Sequence, residues 1–297
     1  MGKNMKGELM LILAAMIWGA AFVAQSVGMD YVGPFTFQAA RCLLGALVLL
    51  PVIAGFSRAR PKETAQTRKT LWTGGALCGL ILFAATSLQQ FGLLYTTAGK
   101  SGFITALYVV LVPVLGIFLH HRTRLNTWIS VAIAAAALYL LCINGSFTVG
   151  RGELLTLGCA LCFSFQILAV DHYSPHVNGV KLACIQFLVC GFLSLLAMAL
   201  TESPSWAAVA RCWLPIAYAG ILSCGVAYTL QILGQRVTSP AVASLLMSLE
   251  SAFAVLFGWL LLRERLSVKE YFGCALMFGA IVLAQLPGKK RTGPGPA

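Results

Sequence analysis

Three ionisable residues lie inside long apolar stretches of the sequence: Arg41, Lys100 and Glu250. A charge in the hydrocarbon region of a membrane is costly, so such residues usually bind a solute, carry protons or pair with one another. A helix rise of about 1.5 Å per residue places Arg41 roughly 10 Å and Glu250 about 12 Å from the same membrane surface. We therefore expect Arg41 and Glu250 to pair or to share one hydrogen-bond network, either for gating or coupling or as a purely structural link.

The stretch from Thr96 to Leu119 carries Lys100 near its start and Pro113 inside. A cation is disfavoured at the positive end of a helix dipole, and a proline inside a helix removes a hydrogen bond and bends the axis. In a membrane such a break is tolerated where protein or water repairs it. The stretch therefore predicts a helix that lines a polar space, with Pro113 in a gating role. Lys100 would bind an anionic group such as a carboxylate, or alternatively extend to the outer lipid headgroups.

The composition predicts an integral membrane protein. Hydrophobic residues make up 59% of the chain and charged residues 10%, whereas soluble domains have about 45–50% and about 25%. The apolar runs are continuous rather than alternating, which favours α-helices in a lipid bilayer over a β-barrel. The net charge of +12 comes from basic residues in short loops, so nucleic acid is not an expected partner. The Cys159/Cys162 pair has no second pair nearby, and we expect no metal, no cofactor and no catalytic residue.

The apolar runs predict an all-α protein with ten transmembrane helices, because each run approximates the ~20 residues that a membrane-spanning helix needs. A first span of this length is expected to stay in the protein rather than be cleaved as a signal peptide. The predicted spans are 8–28, 34–56, 71–95, 97–119, 125–143, 151–171, 178–200, 210–233, 238–262 and 268–287.

The two halves of the chain resemble each other. GELMLILAAMIWGAAF, which begins at Gly7, matches GELLTLGCALCFSFQI, which begins at Gly152, and RTRL at 122–125 matches RERL at 263–266. The predicted units are a first five-helix repeat at 8–143, a second at 151–287 and a cytoplasmic tail at 288–297. Five is an odd number, so the second repeat must be inverted, with a central cavity between the repeats, as in alternating-access transporters.

The basic residues predict the orientation. With a cytoplasmic N-terminus, fourteen of the 21 Lys and Arg residues fall in inner segments and six in outer ones, and Arg41 lies within a span. This excess agrees with the positive-inside rule. We therefore expect a multi-pass protein of the cytoplasmic (inner) membrane with both termini in the cytoplasm.

Polar and aromatic residues at similar depths predict the lining of the cavity. Amides inside spans also bridge helices, and aromatic side chains also serve ordinary packing, so both alternatives stay open. The predicted substrate-binding residues are Lys100, Trp18, Phe22, Gln25, Gln89, Gln90, Tyr108, Phe163, Gln166 and Tyr228.

Several segments resemble the drug/metabolite transporter superfamily, EamA branch. They are Ala15-Met16-Ile17-Trp18-Gly19, the AARCLLGALVLLP segment with Arg41, TTAGKSGFITALYVVLVP, and TSPAVASLLMSLESAFAVLFGWLLLRERLS. The resemblance covers about residues 8–286 and implies ten helices in two inverted repeats around a cavity. It also implies secondary transport of small metabolites, commonly export of amino acids or aromatic compounds. The chain departs from the family pattern at Glu250-Ser251, where Glu-Pro is usual.

The predicted function is therefore secondary, non-ATP transport of a small molecule by a monomer or homodimer, since no nucleotide-binding loop is present. One alternative is a membrane enzyme acting on lipid, for which Asp171-His172 is the adjacent acid–base candidate. The other is a receptor or scaffold that transports nothing.

Overall fold

The computed structural model describes residues 3–57, 64–118, 150–238, 240–265 and 267–285, with short helical pieces between 129 and 140. These residues form helices and turns and contain no β-strand. The predicted span at 125–143 lies largely outside the described residues. The helices are α1 (Lys3–Gly28), α2 (Pro34–Ser57), α3 (Ala65–Leu93), α4 (Ala98–Thr105), α5 (Tyr108–Phe118), α6 (Arg151–Tyr173), α7 (Gly179–Thr201), α8 (Trp206–Arg211), α9 (Trp213–Ala217), α10 (Tyr228–Gln235), α11 (Pro240–Phe257) and α12 (Val268–Gln285).

Eight helical segments of the described chain are long and apolar enough to cross a membrane. They coincide with eight of the predicted spans, while α12 contains a shorter apolar stretch, Tyr271–Ala280. Large apolar side chains such as Trp72, Phe192 and Leu200 are exposed on the outside of the bundle, as lipid contact requires. The protein is thus an α-helical membrane protein, as predicted.

The fourth span is the most enclosed of the eight and is broken in its middle. In Ala98–Gly116, 72% of the most apolar window is buried, against 35–56% in the other spans. The chain turns at Ala106 and Leu107, between α4 and α5. The break was expected at Pro113, which instead lies inside α5. Backbone hydrogen bonds between residues three apart, such as Leu107 N to Ile104 O at 3.1 Å, close the turn. They keep its backbone groups paired.

Two other spans contain π-helix, in which each turn is wider than in an α-helix. Residues Tyr218–Ala227 connect α9 to α10, and Gly258–Leu262 extends α11. The first segment packs closely on α2, because a Cβ atom on Gly45 would lie 2.5 Å from Cβ of Cys224. The Tyr218 hydroxyl donates a hydrogen bond to the Ile17 carbonyl of α1 at 3.0 Å. The widened segment is therefore held between α1 and α2.

Contacts between helix ends define two ends of the bundle. At the Gly7 end, α1 begins beside the end of α10, where Gly7 meets Val237. At the Gly28 end, α1 finishes and the Cys212 thiol contacts the Gly28 carbonyl. Helix α6 begins beside the end of α3, since Gly152 packs on Gly92, and Phe91 of α3 contacts Phe35 at the start of α2. Helix α6 thus begins at the Gly28 end.

Two carboxylates cap helices at the Gly28 end. Glu202, which follows α7, accepts hydrogen bonds from the Phe35 and Thr36 amides, both at 2.8 Å, and from the Thr36 hydroxyl at 2.6 Å. Glu264 accepts bonds from the Ala98 and Gly99 amides of α4 at 3.0 and 3.1 Å. Unpaired amides and the helix dipole both favour an anion at these positions. The carboxylates therefore fix the starts of α2 and α4 to segments from the second half of the chain.

Small residues bring α1, α4 and α11 into close contact. A Cβ atom on Gly19 would overlap Phe253 and lie 2.9 Å from the Ala254 nitrogen. A Cβ atom on Gly102 would lie 2.6 Å from Cβ of Ala254. Such close approach is how membrane helices gain packing energy, and it holds together three of the helices that enclose the centre of the bundle.

The Gly19 contact predicts a large effect from a small substitution. Gly19→Ala should destabilise the protein by about 1–3 kcal/mol, because the added methyl group overpacks against the backbone of α11. Gly55→Ala is the control, since a Cβ atom on Gly55 meets nothing within 4 Å. Thermal unfolding in detergent measures both variants. Equal melting temperatures for the two would show that α1 and α11 are not packed in this way.

Candidate functional site

A cavity lies at the centre of the bundle, with about 470 Å³ of empty space including its opening. It is enclosed by side chains from α1, α2, α3, α4, α5, α6, α10, α11 and the π-helical segment 218–227. The lining residues are Trp18, Phe22, Gln25, Arg41, Gln89, Thr105, Tyr108, Phe163, Gln166, Ile167, Ser223, Tyr228, Gln231, Met247 and Glu250.

Arg41 contributes a buried positive charge to the cavity. Its side chain is 3% exposed, and Nη1 donates to Gln25 Oε1 at 2.7 Å. The Gln25 amide donates in turn to the Ala21 carbonyl at 3.2 Å, which directs its oxygen towards Arg41. The guanidinium also lies 5.9 Å from the centre of the Phe37 ring, within the range of a cation–π contact. Arg41 Nε is buried without a partner among the described residues, so the group retains a donor for an anion.

Glu250 contributes a buried carboxyl group to the same cavity. It is 5% exposed, and its Oε1 has no hydrogen-bond partner in the described residues. The Tyr108 hydroxyl lies close to it, but no hydrogen bond of acceptable geometry joins them. Arg41 bonds to Gln25 rather than to Glu250, and the predicted alternative, in which the two residues share one hydrogen-bond network, stays a prediction. Arg41 and Glu250 thus border one cavity without a bond between them in the described structure.

Aromatic rings and amides form the rest of the site. The Trp18 and Tyr228 rings meet edge to face, with centroids 4.8 Å apart. The Trp18 indole nitrogen has no hydrogen-bond partner in the part of the chain that the structure describes. Gln231 Nε2 donates to Gln166 Oε1 at 3.3 Å. Phe163 also lines the cavity. The cavity therefore combines apolar ring surfaces with free hydrogen-bonding groups, as small-molecule sites do.

Three of the predicted site residues are not among the lining residues. Lys100 lies half-buried in the first turn of α4, where Thr97 caps its backbone amide. Gln90 points its amide at Met29, with Nε2 3.5 Å from the sulfur. Pro113 lies within α5, beyond the break at 106–107. The other ten predicted positions, including Arg41 and Glu250, line the cavity.

Five lining residues were not in the predicted site: Thr105, Ile167, Ser223, Gln231 and Met247. Gln231 had a usable signal, because a buried amide in a span marks a polar face. Thr105 ends α4 at the break, and Ser223 lies in π-helix, so their positions depend on irregular backbone. Ile167 and Met247 resemble ordinary core residues in the sequence.

The chemistry of the site suits binding. Of the described residues that line it, Arg41 is the one basic residue and Glu250 the one acidic residue. The described residues contain no group of three or more His, Cys, Asp or Glu side chains that could hold a metal ion. The cavity can accept an anionic group at Arg41, a cationic or protonated group at Glu250 and an apolar body against its rings.

Comparison with known proteins identifies the family. The model of the EamA-like transporter family matches this chain twice, at residues 5–143 and 150–286. The chain belongs to the EamA-like transporter family. It is 31% identical over 287 residues to an uncharacterized transporter of Archaeoglobus fulgidus, covering 96% of this chain and 87% of that protein. A WAT1-related chloroplastic protein of Arabidopsis thaliana is 26% identical over 93% of this chain and 69% of its own length.

A solved crystal structure shares the fold of this EamA-like protein. The TM-score is 0.69 at 23% identity, covering 94% of this chain and 96% of the other. The family and the apolar helices together support a membrane transporter rather than an enzyme. Asp171 and His172, the acid–base candidate for lipid chemistry, lie at the end of α6 and are not among the cavity-lining residues.

The Gln25 bond to Arg41 gives a prediction for this EamA-like protein. Gln25→Leu should lower stability by about 1.5–3 kcal/mol, because it removes a hydrogen bond to a buried charge. Gln25→Glu is the control, since it keeps an oxygen acceptor and adds a negative charge beside the guanidinium. Thermal unfolding in detergent measures the difference. A leucine variant as stable as the wild type would mean that Arg41 does not depend on this bond.

Proposed function

We propose that this protein is a secondary transporter that moves small metabolites through the central cavity by alternating access, without ATP. The observation that carries this proposal is that Arg41 and Glu250 line one cavity of a membrane-spanning bundle without bonding to each other. Buried charges are unfavourable unless they are paired. A substrate that brings its own charges supplies the missing partners each time it binds.

The polar and aromatic groups favour amino acids or aromatic compounds as substrates. A carboxylate fits Arg41, whose Nε is unpartnered, and an ammonium group fits Glu250 Oε1. An apolar or aromatic side chain fits against Trp18, Phe163 and Tyr228. We propose export as the direction of transport, as the resemblance to the drug/metabolite transporter superfamily implies.

Two reciprocal glycine contacts support an inverted repeat. A Cβ atom on Gly7 would lie 3.2 Å from the Gly234 carbonyl oxygen, and one on Gly234 would lie 3.0 Å from that of Gly7. In the same way, a Cβ atom on Gly92 would lie 3.2 Å from the Gly152 carbonyl oxygen, and one on Gly152 would lie 3.0 Å from that of Gly92. Gly7 and Gly152 are equivalent in the sequence match, at an offset of 145 (152 − 7), and Gly92 and Gly234 differ by 142 (234 − 92). One pair lies at each end of the bundle, as a two-fold axis in the membrane plane requires.

Helix packing supports the same symmetry. Helix α1 packs against α10 and α11, and α6 packs against α3 and the α4–α5 span. Helix α2 packs directly on α7, which is its expected counterpart in the second repeat. Inverted repeats allow a cavity to open to one membrane surface and then to the other, because exchanging the conformations of the two halves exchanges the open end.

We propose that the Gly7 end faces the cytoplasm, with both termini on that side, in the inner membrane. The excess of Lys and Arg in the segments at this end supports this orientation. The carboxylates Glu202 and Glu264 then act at the outer surface, where they connect the starts of α2 and α4 to the second half of the chain.

Reconstitution tests the proposed function. Purified protein in liposomes should exchange labelled amino acids or aromatic metabolites without ATP. Arg41→Gln and Glu250→Gln should each lower the exchange rate at least tenfold, because each removes a charge that the substrate needs. Asp30→Asn, at an exposed position, should leave the rate unchanged. Protein-dependent exchange that both cavity variants retain in full would contradict this site, and no exchange of any of these compounds would contradict the proposed substrates.

A further inference from the structure

Helix α10 carries a polar stripe that begins in the cavity. Tyr228 and Gln231 line the cavity, Gln235 follows four residues after Gln231 at the end of α10, and Thr238 lies in the turn beyond the helix. Such spacing keeps side chains on one side of a helix. The seven residues from Tyr228 to Gln235 correspond to about 10 Å of helix. The stripe therefore extends from the cavity to the Gly7 end of the bundle, where Thr238 packs beside Gly7.

Most of the polar atoms along this stripe have no hydrogen-bond partner in the part of the chain that the structure describes. Gln235 is 3% exposed, and both of its amide atoms are unpartnered. Gln231 bonds to Gln166 through one atom each, so Gln231 Oε1 and Gln166 Nε2 are left over. Exchanging the oxygen and nitrogen of both amides would still leave one of each unpaired. The Thr238 hydroxyl is also buried without a partner.

A second element adds an unpartnered group near the end of the stripe. Ser174 follows α6 in a single 3₁₀ turn, Ser174–His176, which packs against α10. Its hydroxyl is fully buried and has no hydrogen-bond partner among the residues that the structure describes. Each unsatisfied buried polar group costs about 1–3 kcal/mol, so several in one row are not explained by packing. Water or a polar solute relieves this cost at every position.

The equivalent row towards the Gly28 end is interrupted. At the offset of 142 residues, Gln231 corresponds to Gln89 and Thr238 to Thr96, but Gln235 corresponds to Leu93. Leu93 is 6% exposed and belongs to an apolar cluster. At the Gly28 end, Glu202 and Glu264 also accept hydrogen bonds from the starts of α2 and α4. The row without an apolar residue in it therefore lies towards the Gly7 end.

We propose that Gln231, Gln235 and Thr238 form a hydrated path that connects the cavity to the Gly7 end of the bundle, through which water and small polar solutes pass. Its lining is uncharged, so the path selects for polarity rather than for the sign of a charge. The role of the path in transport rests on the proposed function. Its hydration is a property of the structure that can be measured without transport.

Cysteine labelling in oriented membrane vesicles tests the path. Gln235→Cys should react with a membrane-impermeant, charged methanethiosulfonate added on the Gly7 side, at a rate at least tenfold above the wild-type background. A tag on the N-terminus reports which side that is. The reason is that a thiol at this position would face water rather than packed side chains.

Two matched variants serve as controls. Ile232→Cys is on the same helix and equally buried, but Ile232 faces α7, where a Cβ atom on Gly179 would lie 2.8 Å from Ile232 Cγ2. Leu93→Cys stands at the equivalent position of the other half. Both should stay at the wild-type background from either side. A Gln235→Cys variant that folds, as judged by thermal unfolding, and reacts no faster than these two overturns the path.

Hydroxyl-radical labelling of the wild-type protein covers the case in which Gln235→Cys does not fold. Radicals form from water, so Tyr228 at the start of the path should be oxidised, whereas Phe187 should be protected. Phe187 is fully buried and packs against Tyr228 with ring centroids 5.3 Å apart. Equal protection of both rings overturns the path. If Gln235→Cys or Tyr228 is labelled as expected but the protein transports nothing in liposomes, the path is supported and the proposed function is contradicted.

Discussion

Arg41 and Glu250 are buried in a bundle whose outer surface is apolar, and they do not neutralise each other. In a membrane this arrangement is unfavourable, since a buried ionisable group without a charged partner loses several kcal/mol of hydration whenever it is ionised. The protein compensates in part: Gln25 accepts one bond from the guanidinium, the Phe37 ring lies beside it, and the cavity keeps room for polar molecules at the remaining atoms. The cavity, its lining and the proposed transport all follow from this partial compensation.

Irregular backbone in two of the helices provides the space for the cavity. A bundle of straight helices with glycine contacts as close as those at Gly19 and Gly102 would leave little space at its centre. The break at 106–107 ends α4 at the cavity, and the wide turns of 218–227 bring Ser223 to its wall. Membranes tolerate such backbone where it lines a cavity inside the protein. The carboxylates of Glu202 and Glu264 stabilise the surrounding helices at their starts, so the irregular centre lies within a well-anchored frame.

The sequence predicted how deep in the membrane a residue lies along its helix. It did not predict which side of the helix faces the cavity. Counting residues placed Arg41, Glu250 and Trp18 at heights where one cavity now joins them, because charges and aromatic rings inside apolar runs are distinctive. That Arg41 bonds to Gln25 rather than to Glu250 could not be predicted, because two groups at one height need not face each other. The break at 106–107 contains no glycine or proline, so the sequence did not predict it. A π-helical segment likewise has no sequence signature, so Ser223 could not be foreseen.

The most direct test is whether the cavity opens to both membrane surfaces. Ser223→Cys places a thiol on the cavity wall, at a residue that is 2% exposed. In right-side-out and inside-out vesicles, a membrane-impermeant thiol reagent should modify it from either side, above the background of the wild-type cysteines. Modification from one side only, or from neither, would contradict a cavity that alternates between the two surfaces.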